Sequence, residues 1–181
     1  YKALQVYDKA VEEFTRANAL NTSDPLPDLY ISRTYATVGD YAKAAQYAES
    51  AVKDVPTDPY LRGNWGVMLY HYFLWPEAVQ QLALGVQGGT TEDGQTILPL
   101  PLVADPRIAE YYFTYGLALA RLGRCGEALP IFQPILGTVP GDELAVFKAQ
   151  EGIDKCRESL SFTPTPTLVP PESPTTATPQ P

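Results

Sequence analysis

Apolar and small side chains return along this chain at a fixed step. Tyr7, Tyr41 and Trp75 are 34 residues apart, as are Ala10, Ala44 and Ala78, and Thr22, Pro56 and Thr90 keep the same step between the apolar runs. The step changes once. Gly66, Leu69, Ala78, Leu82 and Thr90 recur 50 residues later as Gly116, Leu119, Ala128, Phe132 and Pro140, so the register resumes after an insertion of sixteen residues. A step of 34 suits a pair of antiparallel helices stacked on copies of itself. Small residues at Ala44, Gly66, Ala78, Gly116 and Ala128 let helices approach closely, while Tyr35, Leu69 and Leu119 fill the space between layers. A last amphipathic run, "GDELAVFKAQEGIDKCRESL", predicts a lone terminal helix.

The clearest copy is "LYISRTYATVGDYAKAAQYAESAVKDVPTDP", residues 29–59; the next gives "NWGVML" and "WPEAVQQL", and a later one "TYGLALARLGRCGEALPIF". These stretches resemble the tetratricopeptide repeat. Ser32 and Tyr35 match its first helix, "GDYAKAA" its interhelix turn and close-packing alanine, and Ala51 and Pro56 the close of its second helix. The resemblance covers roughly residues 1–159. It implies an all-α solenoid of antiparallel helix pairs over 1–160: a half repeat at 1–24, which opens near the end of a first helix, repeats at 25–58, 59–92 and 109–141, an insertion at 93–108 and a terminal helix at 142–160. An extended Thr/Pro-rich tail follows at 161–181, as in bacterial exported members.

In this family the first helix of each repeat lines a concave surface. The resemblance therefore places Leu29, Arg33, Tyr60, Asn64, Val67, Tyr70, His71, Phe113, Leu117 and Arg121 along a groove. Some members hold a partner's C-terminal carboxylate with Lys, Asn and Arg; Arg33, Asn64 and Arg121 echo that set without a lysine. A tyrosine-rich, weakly charged groove suits an extended Pro-rich or apolar peptide. The alternative is that several of these tyrosines are half-buried packing.

Three departures add to the picture. "VQGGTTEDGQTILPLPLVADPR", residues 86–107, is too long for a simple turn, and either covers an edge of the solenoid or receives a partner. Pro130 and Pro134 lie one turn apart on one face of a predicted helix, and each removes a backbone hydrogen bond, so a bend is expected. The stretch "TPTPTLVPPESPTTATPQP" favours polyproline II and suits O-glycosylation at Thr163, Thr165, Thr167, Thr175, Thr176 and Thr178; Asn21 in "NTS" fits N-glycosylation.

Charge and composition then exclude whole classes. The chain has 181 residues, 45% of them hydrophobic, and a formal charge of −8 with no basic run, which argues against a nucleic-acid partner. No apolar stretch nears the roughly 20 residues that cross a bilayer, and the absence of an initiator methionine suggests a processed product or fragment. One histidine, His71, and two cysteines cannot make an ordinary zinc site; "TEDG" lacks the alternating ligands of a calcium loop, and no phosphate-cradling glycine motif or catalytic triad is present. No enzyme and no cofactor are expected.

Cys125 falls at the start of one predicted helix and Cys156 late in its antiparallel neighbour, so they are level. A bridge between them is expected, the alternative being two unpaired thiols that serve as small core residues. A bridge persists in an oxidising compartment, which agrees with the tail and predicts an extracytoplasmic protein, secreted or at the cell surface. The ends raise a further expectation. Because the chain opens on half a repeat and closes on an unpaired helix, head-to-tail assembly into a filament or oligomer is predicted, with the segment around Phe147 docking on Tyr7, Ala10 and Phe14 of the next copy. The alternative is an exported adaptor that binds a segment of another protein; in both cases the partner is a polypeptide, with glycans possible.

Overall fold

The computed structural model describes residues 2–161, in eight helices and one short hairpin. In chain order these are α1 (Lys2–Leu20), α2 (Pro25–Thr37), α3 (Tyr41–Asp54), α4 (Pro59–His71), α5 (Trp75–Val86), the strands β1 (Gly89–Thr90) and β2 (Thr96–Ile97), α6 (Pro106–Arg121), α7 (Cys125–Thr138) and α8 (Glu143–Ser161). Apart from that hairpin the regular structure is all helical, and the tail with its expected O-glycosylation at Thr163, Thr165, Thr167, Thr175, Thr176 and Thr178 lies outside the described residues.

The same two-residue signal starts α2, α4 and α6. Asp24, Asp58 and Asp105 each cap a helix whose first residue is proline, and their carboxylates accept from Leu26 N (3.0 Å), Tyr60 N (2.8 Å) and Arg107 N (2.8 Å). An aspartate oxygen satisfies an orphan N–H, and proline, having none, is preset for the first helical position. Asp142 caps α8 in the same way, accepting from Ala145 N at 3.0 Å.

Successive helices pack as antiparallel neighbours, and α2, α4, α6 and α8 follow one another along one side. Ala44, Ala78 and Ala128 are wholly buried. A Cβ on Gly66 would stand 2.5 Å from Leu82 Cγ, and one on Gly116 2.5 Å from the Phe132 ring, so these positions admit no side chain. Phe132 is held from both sides, because a Cβ on Gly152 would also come within 2.2 Å of its ring. α1 runs unbroken from Lys2 through Tyr7, so residues 2–20 form one helix rather than the end of one and the start of another.

α7 continues through Pro130 and Pro134. The carbonyls left without an N–H partner belong to Gly126 and Pro130, both exposed residues, where water is at hand to replace the lost bonds. The insertion is stitched down rather than free. Ile97 is buried, Leu100 and Leu102 pack against the core, Leu100 N donates to Gly85 O (3.0 Å) and the Tyr112 hydroxyl donates to Leu100 O (2.7 Å). Leu98 and Val103 stay exposed. Cys125 and Cys156 are joined by a disulfide, with Cα atoms 5.1 Å apart, which ties the start of α7 to the last turns of α8.

Candidate peptide-binding groove

The concave side is built from α2, α4, α6 and α8. At its centre Arg33 is half-buried: Nε donates to Asn64 Oδ1 (3.2 Å), and the guanidinium lies 5.3 Å from the centre of the Tyr60 ring. Asn64 is buried and donates in turn to Ser32 Oγ (3.2 Å), so α2 and α4 are joined by a polar ladder. Tyr60 meets Tyr111 edge-on at 5.4 Å. Burial pushes the Tyr111 hydroxyl well above the usual tyrosine range, against the pull of the neighbouring Arg33 guanidinium, whose Nη2 lies beside the hydroxyl outside ideal hydrogen-bond geometry.

One cleft borders this cluster at Arg33, and a second lies against α8. The first, about 220 Å³, is bounded by Arg33, Tyr41, Val67, His71, Arg107 and Glu110. His71 stacks on Tyr41 at 4.7 Å, and burial of the ring lowers its pKa below the ordinary 6.5, with Glu110 opposing. Because the folded value is the depressed one, the neutral ring favours the folded state above about pH 6.5, and this contribution is lost as pH falls through the folded pKa. The His71→Gln variant is therefore expected to show a smaller drop in urea midpoint between pH 7 and 5 than the parent chain. The effect is modest, since one side of the ring faces water.

The second cleft, about 100 Å³, joins Tyr70, Leu117 and Arg121 to Lys148, Glu151 and Lys155 of α8. Lys148 pairs with Glu151 (3.0 Å), as Arg107 does with Glu110 (2.9 Å). Among the described residues no carboxylate comes within ion-pair distance of Arg33, Arg121 or Lys155.

The other sequence-predicted positions divide. Leu29 is buried against Ala51, Val52 and Leu61, and Val67 is nearly all buried, so both serve mainly as packing beneath the groove. Tyr60, Tyr70, Phe113 and Leu117 are partly buried, and Arg121 is exposed with its guanidinium 5.8 Å from the Trp75 ring. The sequence reading put no lysine here. α8 brings two, since it occupies the place of a further first helix, and the signal was present: Lys155 stands one 34-residue step beyond Arg121. At the ends, Tyr7, Ala10 and Phe14 are half-buried, with Phe14 stacked on Tyr30 at 5.2 Å. Phe147 is exposed with Lys148 over its ring at 5.3 Å. Among the described residues no three His, Cys, Asp or Glu side chains gather as a metal site.

No protein-family model matches the sequence, and no curated protein is similar to it. Solved structures are. A crystal structure of MamA superposes with a TM-score of 0.61 at 14% identity, over 88% of this chain and 92% of that one. YrrB, described as a TPR protein with an unusual peptide-binding site, gives 0.60 at 20% identity over 88% of this chain and 77% of its own. The second TPR domain of human RPAP3, solved with the HSP70 peptide SGPTIEEVD, gives 0.54 at 15% identity over 74% and 98%. The fold is a tetratricopeptide-repeat solenoid. In TPR terms α2–α3, α4–α5 and α6–α7 pair as repeats, while among the described residues α1 stands in the place of a second helix and α8 in the place of a first. The insertion lies between the second and third of these pairs.

Proposed function

We propose that this chain is a non-enzymatic interaction scaffold whose concave TPR groove holds an extended, acidic segment of another polypeptide. One observation carries the reading: Arg33, Arg121 and Lys155 lie along the groove without carboxylate partners, in a chain whose net charge is −8. Arg33 is held in place by Asn64 and Tyr60, while Arg121 and Lys155 reach the surface. A protein with carboxylates to spare thus leaves its groove cations without counter-charge, and charge complementarity of this kind steers and selects a partner. Tyr60, Tyr70 and Phe113 supply apolar rungs between them, as an extended peptide requires. The peptide sites named for YrrB and RPAP3 support the same use of the fold. The disulfide supports an extracytoplasmic location, where such bonds persist, and Asn21 is exposed for a glycan there.

Head-to-tail self-assembly is the second reading, favoured by exposed Leu144 and Phe147 on α8 and by the half-buried face of α1. Its weakness is the setting of Phe147, which shares its surface with Gln150, Asp154 and Glu158, a polar outer face of the sort that caps a solenoid.

Selection from a displayed library of random peptides tests the groove. Enriched sequences are expected to carry Asp or Glu beside an apolar residue. Their affinity should fall with salt, and the Arg33→Gln and Lys155→Gln variants should each weaken it by about tenfold, the range of a charge-assisted hydrogen bond. Enrichment of peptides without acidic residues, bound equally by both variants, would overturn the reading.

A further inference from the structure

The turn between α4 and α5 departs from its two counterparts. Gly39 (φ 82°) and Gly123 (φ 73°) occupy the left-handed position after α2 and α6, where glycine is free of the Cβ clash, whereas Phe73 takes it at φ 64°. The three turns share one hydrogen-bond pattern: Asp40 N to Tyr35 O (3.0 Å), Leu74 N to Leu69 O (3.0 Å) and Arg124 N to Leu119 O (2.9 Å). Phenylalanine is thus held in a conformation suited to glycine, and burial does not account for it. Phe73 is 76% exposed, with Tyr72 and Leu74 exposed beside it. Strain combined with an exposed apolar cluster marks a docking surface rather than a packing solution.

The structure also bears on what covers it. The Phe73 ring meets Trp75 edge-on at 6.3 Å, Trp75 receives Arg121 from the end of α6, and the Cys125–Cys156 bridge brings the last turns of α8 to the same edge. α8 therefore ends, at Ser161, on the edge that carries the aromatic turn. Two repeats separate them, about 20 Å at the usual 8–10 Å between helices. Leu168, Val169, Pro170 and Pro171 stand seven to ten residues past Ser161, a reach of about 20–30 Å at 3.1 Å per residue of polyproline II. Attachment to the same molecule gives such a segment a high effective concentration, so a weak contact suffices. We infer that the Tyr72–Phe73–Leu74 turn is a docking site for the chain's own Leu168–Pro171 segment, proline rings and aliphatic side chains packing on the exposed aromatics. The site borders the concave groove at Arg121 but does not rest on the groove's proposed use.

Full-length chains test it. In the Leu168→Ser/Val169→Ser double variant the NMR signals of the Leu74 amide and the Trp75 indole N–H are expected to shift from their parent positions, at all concentrations. In Phe73→Gly a glutamate-specific protease should cut after Glu172 at least about threefold faster than in the parent, as release of a docked segment requires. The melting temperature of Phe73→Gly should match or exceed the parent's, since glycine relieves the turn. Unmoved signals in the double variant would overturn the inference. So would shifts that vanish on dilution, which would assign the segment to a neighbouring molecule, or an unchanged cleavage rate with a lowered melting temperature, which would make Phe73 a packing residue.

Discussion

Phe132→Ala is expected to destabilise the protein by about 3–5 kcal/mol, the range for removing a fully buried ring. The ring has no exposure and lies between α6 and α8, touching the space above Gly116 on one side and Gly152 on the other. The same contact predicts the reciprocal experiment. Gly152→Ala places a Cβ 2.2 Å from Phe132 Cζ, so ring or helix must move, and overpacking of this kind costs about 1–3 kcal/mol or more. In the double variant the new methyl enters the space the ring has left, so the combined cost should fall short of the sum by at least about 1 kcal/mol. Urea unfolding of the four proteins measures this coupling. Strict additivity would mean that ring and glycine do not share the space.

Opening the Cys125–Cys156 bridge is the second large effect. It closes a loop with a sequence separation of 31, for which the chain-entropy account gives about 3–4 kcal/mol. Its loss should fall first on α8, which among the described residues packs chiefly against α6 and α7 and buries Ala145, Ala149, Gly152, Ile153 and Cys156 there. The Cys125→Ala/Cys156→Ala variant should lose amide-exchange protection in α8 before α2–α5. A stability within about 0.5 kcal/mol of the parent, with α8 still protected, would contradict this account of the bridge.

How far the sequence was legible follows from where the repeat rule held. The 34-residue step located α2 to α5, and the 50-residue step carried the same register to α6 and α7, because the alanines and glycines at helix crossings are fixed by sterics and so keep their spacing. The bridge was legible for the same reason: antiparallel neighbours bring the start of one helix level with the end of the next. The groove was read only in part. Register assigns a residue to a helix face, but Leu29 and Val67 sit on the buried border of that face, and only side-chain exposure separates border from surface. Lys155 lies outside the groove expected from the sequence because α8, expected as a lone terminal helix, continues the register of the first helices from Arg121. The insertion and the Phe73 turn had no counterpart copy with the same chemistry, so the folding of "ILPLPLV" onto Gly85 and Tyr112 and the exposure of Phe73 had to come from the structure.

The central claim, that the concave face is the binding surface, is tested most directly by NMR titration of the full chain with a library-selected acidic peptide. The account predicts shifts on Arg33, Tyr60, Tyr70, Arg121 and Lys155, with Phe14 and Leu144 unmoved. Shifts confined to Phe14, Phe147 and the outer faces of α1 and α8 would contradict it and favour assembly through the ends.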